Sequence, residues 1–144
     1  MRYDAPSLAT GFTAPRGITE ALVSVIYSAD AWSAFLDREY LRDSLGSIAP
    51  PDWNRTALLW ITAHDQGGTD VRPVVASVTR DERALSVTVT LAPIPGAQAL
   101  DVEQRPWVLI ALDRGALAGD PAMHFTIDGQ RAVRVEHLGR AAAP

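Results

Sequence analysis

At 144 residues the chain has the length of one domain, and a chain of about 150 residues buries roughly 68–70% of its unfolded surface, enough for a core without a staple. It contains no cysteine, which excludes disulfide frameworks, thiolate zinc sites and cysteine nucleophiles. The net charge is −4, with acids and bases interspersed, so no basic stripe exists to follow a phosphate backbone and nucleic acid is not expected as a partner.

No stretch approaches the ~18 apolar residues of a membrane helix. Met1 to Thr13 also lacks the basic start, apolar centre and small-residue cleavage site of a leader. The expectation is a soluble protein, cytoplasmic as the sequence stands and exported if a leader has been removed.

In chain order, Met1 to Arg16 mixes Pro, Gly, Ser and Thr with isolated Tyr3, Leu8 and Phe12, a pattern that predicts a flexible arm docking by those side chains. Leu22, Val23, Val25, Ile26 and Tyr27 predict a strand from about Ile18 to Tyr27. Ser28 can cap the helix that follows, with Asp30 in its first turn. Trp32, Phe35, Leu36 and Tyr40 then fall at i, i+3, i+4 and i+8, one apolar stripe on a helix running to about Leu41. Gly46, Pro50 and Pro51 make Asp43 to Asp52 a loop.

The run Thr56 to Ala63 has five consecutive apolar residues between polar flanks, which suits a central strand buried on both faces. Gly67 and Gly68 read as a turn. Val71 to Thr79 reads as a strand with Val74, Ala76 and Val78 on one face, and Pro73 confines it to a strand start or an open edge. After a polar turn at Asp81, Glu82 and Arg83, Leu85, Val87, Val89 and Leu91 alternate strictly with Ser86, Thr88 and Thr90, as in an antiparallel strand with one wet face. Pro93 to Arg105 reads as a long loop, Trp107 to Leu112 as a second central strand, and Asp113 to Pro121 as a link. Met123 to Leu138 reads as a hairpin with a three-residue loop, Ile127 to Gly129. That register sets Met123 opposite Val133 and Gly129 in a left-handed position.

The expected fold is therefore mainly β to α+β. It is an antiparallel-rich β-sandwich or rolled sheet with one packed helix at about 29–41 and a C-terminal hairpin. The expected divisions are an arm at 1–16, a single domain at 17–138 and a frayed tail at 139–144.

Chemistry is sparse. His64 and Asp65 are adjacent, and neighbours in an extended chain point to opposite faces, which argues against a mutual acid–base pair. His124 and His137 fall on opposite faces of the expected hairpin, and there is no HExxH or HxH spacing, so no metal is expected. Gly67 and Gly68 lack the Lys and Ser/Thr of a phosphate loop, and no serine sits in a GxSxG elbow. No catalytic residue and no cofactor is assigned.

A series of features stands in a recognisable order. Asp52 and Trp53 precede the strand Ala57 to Ile61, and the pair Gly67 and Gly68 leads to the strand ending at Val78. The alternating strand Leu85 to Leu91 follows, then the loop with Pro93, Pro95 and Gly96, and the entry Pro106, Trp107 into Val108 to Leu112. Over about residues 17–113 this order resembles the C-terminal domain of the bacterial protease complex subunit PrcB, a β-rich module. Thr69 and Asp70 stand where that family tends to place an aromatic after the Gly pair. The resemblance implies a non-catalytic module that binds or stabilises a partner protein, in that family a protease.

Loops on rigid scaffolds carry recognition, which makes Gly67, Gly68, Thr69, Asp70, Pro93, Pro95, Gly96, Arg105 and Pro106 the expected partner-binding residues. Two alternatives remain at this point: a small hydrolase with a dispersed site using His64 or His124, and a small-ligand pocket lined by Trp32, Trp53, Trp60 and Trp107.

Overall fold

The protein was analysed as a computed structural model that describes residues 1–13, 20–63, 66–69, 71–96, 99–129 and 133–140. Its elements are β1 (Ser7–Thr13), β2 (Ala21–Ile26), α1 (Ala29–Arg38), α2 (Arg42–Leu45), β3 (Thr56–Thr62), β4 (Gln66–Thr69), β5 (Val71–Arg80), β6 (Ala84–Pro93), β7 (Ala99–Asp113), a 3-10 turn at Arg114–Leu117, β8 (Ala122–Ile127) and β9 (Val133–Leu138). The first sheet has the order β1-β7-β3-β2-β9 with β4 also on β7, and the second has the order β5-β6-β8.

β3 is central, as its unbroken apolar run requires. Successive side chains alternate across it. Ala57, Leu59 and Ile61 enter a core shared with Leu85, Val87, Val89, Phe125 and Ile127 of the second sheet. Leu58 and Trp60 enter a second core with Trp32, Phe35 and Leu36 of α1 and with Trp107 and Leu109 of β7. The result is three layers, a sandwich of two sheets with one helix on its outer face, in agreement with the expected β-rich α+β class.

The helix forms for local reasons. Ser28 is extended (φ −146°) and its hydroxyl accepts from the Ala31 amide at 3.2 Å, while Asp30 occupies the first turn. Its end departs from the expected stripe. The helix stops at Arg38, Leu41 N–H donates to Leu36 O (2.9 Å) and Tyr40 N–H to Asp37 O (3.3 Å), the pairing of a Schellman cap. Tyr40 takes the left-handed position (φ 56°) and is 90% exposed, so it leaves the buried stripe, and Leu41 packs inward in its place. The expected loop after it contains the short helix Arg42–Leu45.

Five further expectations are corrected. Within the supposed arm, Ser7–Thr13 is an edge strand paired antiparallel with β7, from Ser7 opposite Ile110 to Thr13 opposite Arg105. The preceding segment also lies on β5, where Tyr3 N–H donates to Val78 O at 2.9 Å. Leu8 and Phe12 do not dock, being 41% and 38% exposed. An edge strand needs little apolar pattern of its own when its partner, roughly a hundred residues away, supplies the ladder.

In β5 the register shifts between Val75 and Ser77, leaving Ala76 as an extra residue. Pro73 and Val78 are therefore buried while Val74 and Ala76 are exposed, which overturns the single face of Val74, Ala76 and Val78. Gly67 and Gly68 lie in strand β4 rather than a turn, because the start of β7 offers a ladder to pair with. The long loop shrinks for the same reason, since β7 already begins at Ala99. Finally, β8 and β9 are not a hairpin: β8 runs parallel to β6, with Met123 opposite Leu85, and β9 parallel to β2. Gly129 is left-handed (φ 81°) as expected, but the chain there passes from one sheet to the other.

Candidate functional site

The expected partner-binding residues divide into two groups. Gly68 and Thr69 of β4 pair with Leu100 and Ala99, and Val71 of β5 pairs with Pro93, which draws the Gly67 to Thr69 segment and the Pro93 to Gly96 turn toward one another. Pro95 and Gly96 are exposed there, with Gly96 left-handed at φ 77°. Arg105 and Pro106 go elsewhere. Both are buried within β7, Arg105 at 1% exposure with its Nε donating to Ala63 O at 3.3 Å, so neither belongs to a recognition loop. Asp70 and the pair His64 and Asp65 lie outside the described residues.

The tryptophans are mostly structural. Trp32, Trp60 and Trp107 are buried in the helix-side core and Trp53 packs against it, with Phe35 edge-on to Trp60 at 5.1 Å between centroids. His124 is exposed on β8 opposite Ser86, and among the described residues no hydrogen bond joins them. His137 is half-buried on β9, its Nδ1 2.9 Å from the Tyr27 hydroxyl. Burial, then the charge of Arg140, lowers its pKa against the opposing pull of Asp120. These two histidines sit on strands of different sheets and form no joint site. Among the described residues no cluster of His, Asp and Glu could hold a metal ion.

The arrangement that remains is a cleft of about 480 Å³ between the end of α1 and the β2–β9 side of the first sheet, within the size range of small-ligand sites. The ladder builds it. Ser24 lies opposite Trp60 on one side and Glu136 on the other, so these three side chains form a row across β3, β2 and β9. The next row sets Leu22 beside Arg134. Arg38, Glu39 and Tyr40, where the helix ends, close the cleft from above.

Its polar groups are already matched. The Ser24 hydroxyl, on a residue only 2% exposed, donates to Glu136 Oε1 at 2.6 Å. Arg38 grips both oxygens of Glu136, Nη1 to Oε2 at 3.3 Å and Nη2 to Oε1 more closely. Burial works to raise the Glu136 carboxyl, but the hydrogen bonds from Arg38 and Ser24 outweigh it and hold the group below its ordinary value. Arg134 pairs with Glu20 at 3.1 Å. Arg38 and Arg134 thus balance Glu39 and Glu136, and the lining carries no net charge.

Two aromatic rings border the cleft. The Trp60 indole nitrogen is buried without a hydrogen-bond partner, as are those of Trp53 and Trp107, a state that costs about 1–3 kcal/mol. Tyr40 holds an exposed ring in a conformation usually left to glycine, at about 1–2 kcal/mol. The sequence placed both rings in a core stripe or core strand, and only the way the helix ends could have separated them. No protein-family model, curated protein or solved structure matches this chain.

Proposed function

We propose that this chain is a non-catalytic binding module that holds a partner protein on the flank formed by β9 and the cleft beside it. One observation carries the reading: Arg134 and Glu136 belong to the edge strand of the first sheet and also line the cleft. An extended partner segment added to β9 gains main-chain hydrogen bonds from the strand and presents alternate side chains to the cleft. The exposed Tyr40 ring, which lines the cleft, supports a recognition role, since tyrosine is enriched at interfaces. The resemblance to the PrcB domain makes a protease the first partner to test.

A second reading keeps the partner on the Gly67 to Thr69 and Pro93 to Gly96 end, and is favoured by the proximity of those segments in the ladder. Photo-crosslinking separates the two. A photoreactive residue is placed in turn at Arg134, at Gly96 and, as a control, at Thr90 on the outer face of β6, and adducts are scored in the source cell. A discrete adduct at 134 alone supports the β9 flank, and one at 96 alone supports the loop end. Adducts at neither position, or equally at Thr90, count against both.

A further inference from the structure

We propose that β9 pairs antiparallel with the β9 of a second copy of this chain about a two-fold axis at Val135, setting Arg134 of each copy opposite Glu136 of the other. The inference rests on the reading of the β9 flank as the recognition site and names the occupant of that flank.

The backbone supplies the template. Leu138 C=O accepts from Tyr27 N–H at 3.0 Å, so the polar groups of Leu138 turn toward β2, and with them, by the period of two, those of Glu136 and Arg134. The N–H and C=O groups of Val133, Val135 and His137 therefore point the opposite way. Among the described residues β9 ends the first sheet, and no strand pairs with it on that side. A row of this kind invites another strand. Antiparallel pairing centred on Val135 uses the whole row, since residue 135 exchanges hydrogen bonds with its own copy and residue 133 of each chain does so with residue 137 of the other.

The side chains select the occupant and the register. In this alignment residues 134 and 136 form the non-hydrogen-bonded pairs, whose side chains stand closest. Arg134 and Glu136 both line the cleft on the helix side of the sheet, and they meet across the axis with opposite charge, once on each side of it. Each already has a partner in its own copy, Arg134 in Glu20 at 3.1 Å and Glu136 in Arg38 and Ser24. Neither needs to give it up, because a guanidinium has five donors and a carboxylate about four acceptor positions. Charges then alternate across the axis from Glu20 and Arg134 of one copy to Glu136 and Arg38 of the other. Other registers fail. A shift by two residues sets Arg134 against Arg134 or Glu136 against Glu136, parallel pairing in register does both, and a shift by one puts the core face opposite the helix face. On the inner face Val135, packed against the core between the sheets, meets its own copy at the axis. A strand of unrelated sequence meets the same two charges without the matching pattern, which is how a charged edge excludes other partners.

The chain has no cysteine, so a single one reports the register. At the axis the two Cα atoms of residue 135 stand about 5.5 Å apart, within the roughly 4.4–6.8 Å that a disulfide spans. Val135→Cys should form a covalent dimer under mild oxidation at least about tenfold faster than Thr90→Cys, on the exposed outer face of β6. One strand pair is a small interface, so sedimentation equilibrium of the unaltered chain is followed from micromolar to millimolar protein. It should show a monomer–dimer equilibrium that Arg134→Glu weakens at least about tenfold, because two pairs change from opposite to like charge. Glu136→Arg should weaken it too, and an equimolar mixture of the two variants should restore it, each copy offering the charge the other lacks. If Glu136→Arg does not fold, Arg134→Glu and the Val135→Cys disulfide carry the test.

A chain that stays monomeric to millimolar concentration, a dimer indifferent to Arg134→Glu, or a disulfide no faster at 135 than at 90 overturns the inference. The crosslink from residue 134 in the cell separates it from the reading of the flank. An adduct of twice the chain's mass supports both, whereas an adduct with a different protein and none of twice the mass overturns the second copy and leaves the flank reading standing.

Discussion

Replacing Tyr40 by glycine should stabilise the protein, an unusual expectation for the loss of an aromatic ring. Tyr40 follows the helix end at φ 56° and is 90% exposed, so its ring contributes almost no burial. A side chain in the left-handed region costs about 1–2 kcal/mol, and glycine escapes that cost but adds about 0.5–1 kcal/mol of freedom to the unfolded chain. The difference predicts a gain of about 0.5–1 kcal/mol, or a midpoint rise of about 1–4 °C for a chain of this size. Tyr40→Ala is the control, because alanine keeps the strain and should fall about 1 kcal/mol below the glycine variant. Both are measured by urea unfolding, with unchanged slope as the check that only the native state has shifted. If Tyr40→Gly loses 1 kcal/mol or more, or if glycine and alanine are equal, the ring holds the fold together and the case for its role in recognition fails.

Three further expectations follow from the packing and the charges. Gly11→Ala should destabilise by about 1–3 kcal/mol, because its Cβ would lie 2.6 Å from Trp107 Cζ2; a neutral result in thermal unfolding would mean that β1 is not held against β7. Trp60→Ala should cost about 3–5 kcal/mol, since the side chain is 3% exposed and packs edge-on to Phe35; a loss below about 1 kcal/mol by the same urea assay would place the core elsewhere. For His137 the lowered folded pKa means that the unfolded chain binds the proton more readily. Its contribution is complete above the ordinary value of 6.5 and is lost as pH falls through the folded value. Stability measured from pH 8 to 5 should therefore decline less in His137→Gln than in the parent, and parallel profiles would refute the assignment.

Several parts of this architecture follow from local pattern. Five apolar residues between polar flanks make β3 a strand that must be covered on both sides, and strict alternation fixes which residues of β6 face the core. Ser28 and Asp30 start the helix where a hydroxyl and a negative charge satisfy free amides. Each of these depends on residues within a few positions of one another. What depended on distant partners was not legible. The glycines of β4 become a strand because the start of β7 pairs with them, and Ser7–Thr13 becomes one because the later part of β7 does.

The end of the chain illustrates the limit. Met123, Phe125 and Ile127 do share a pattern, and Gly129 does turn, yet β8 and β9 find parallel neighbours laid down about forty and about 110 residues earlier, respectively. A local pattern specifies that a strand needs a neighbour and not which one. The cleft shows the same division. Sequence marked Trp60 as buried and left Ser24, Arg38, Tyr40, Arg134 and Glu136 without distinction, since they come from three separate segments. By itself the sequence determined the class of fold and the strands that must be buried, because burial is written in short-range periodicity. Only the tertiary structure decided the site, because it arises where the helix ends and β9 reaches β2, and neither event is encoded near the residues it brings together.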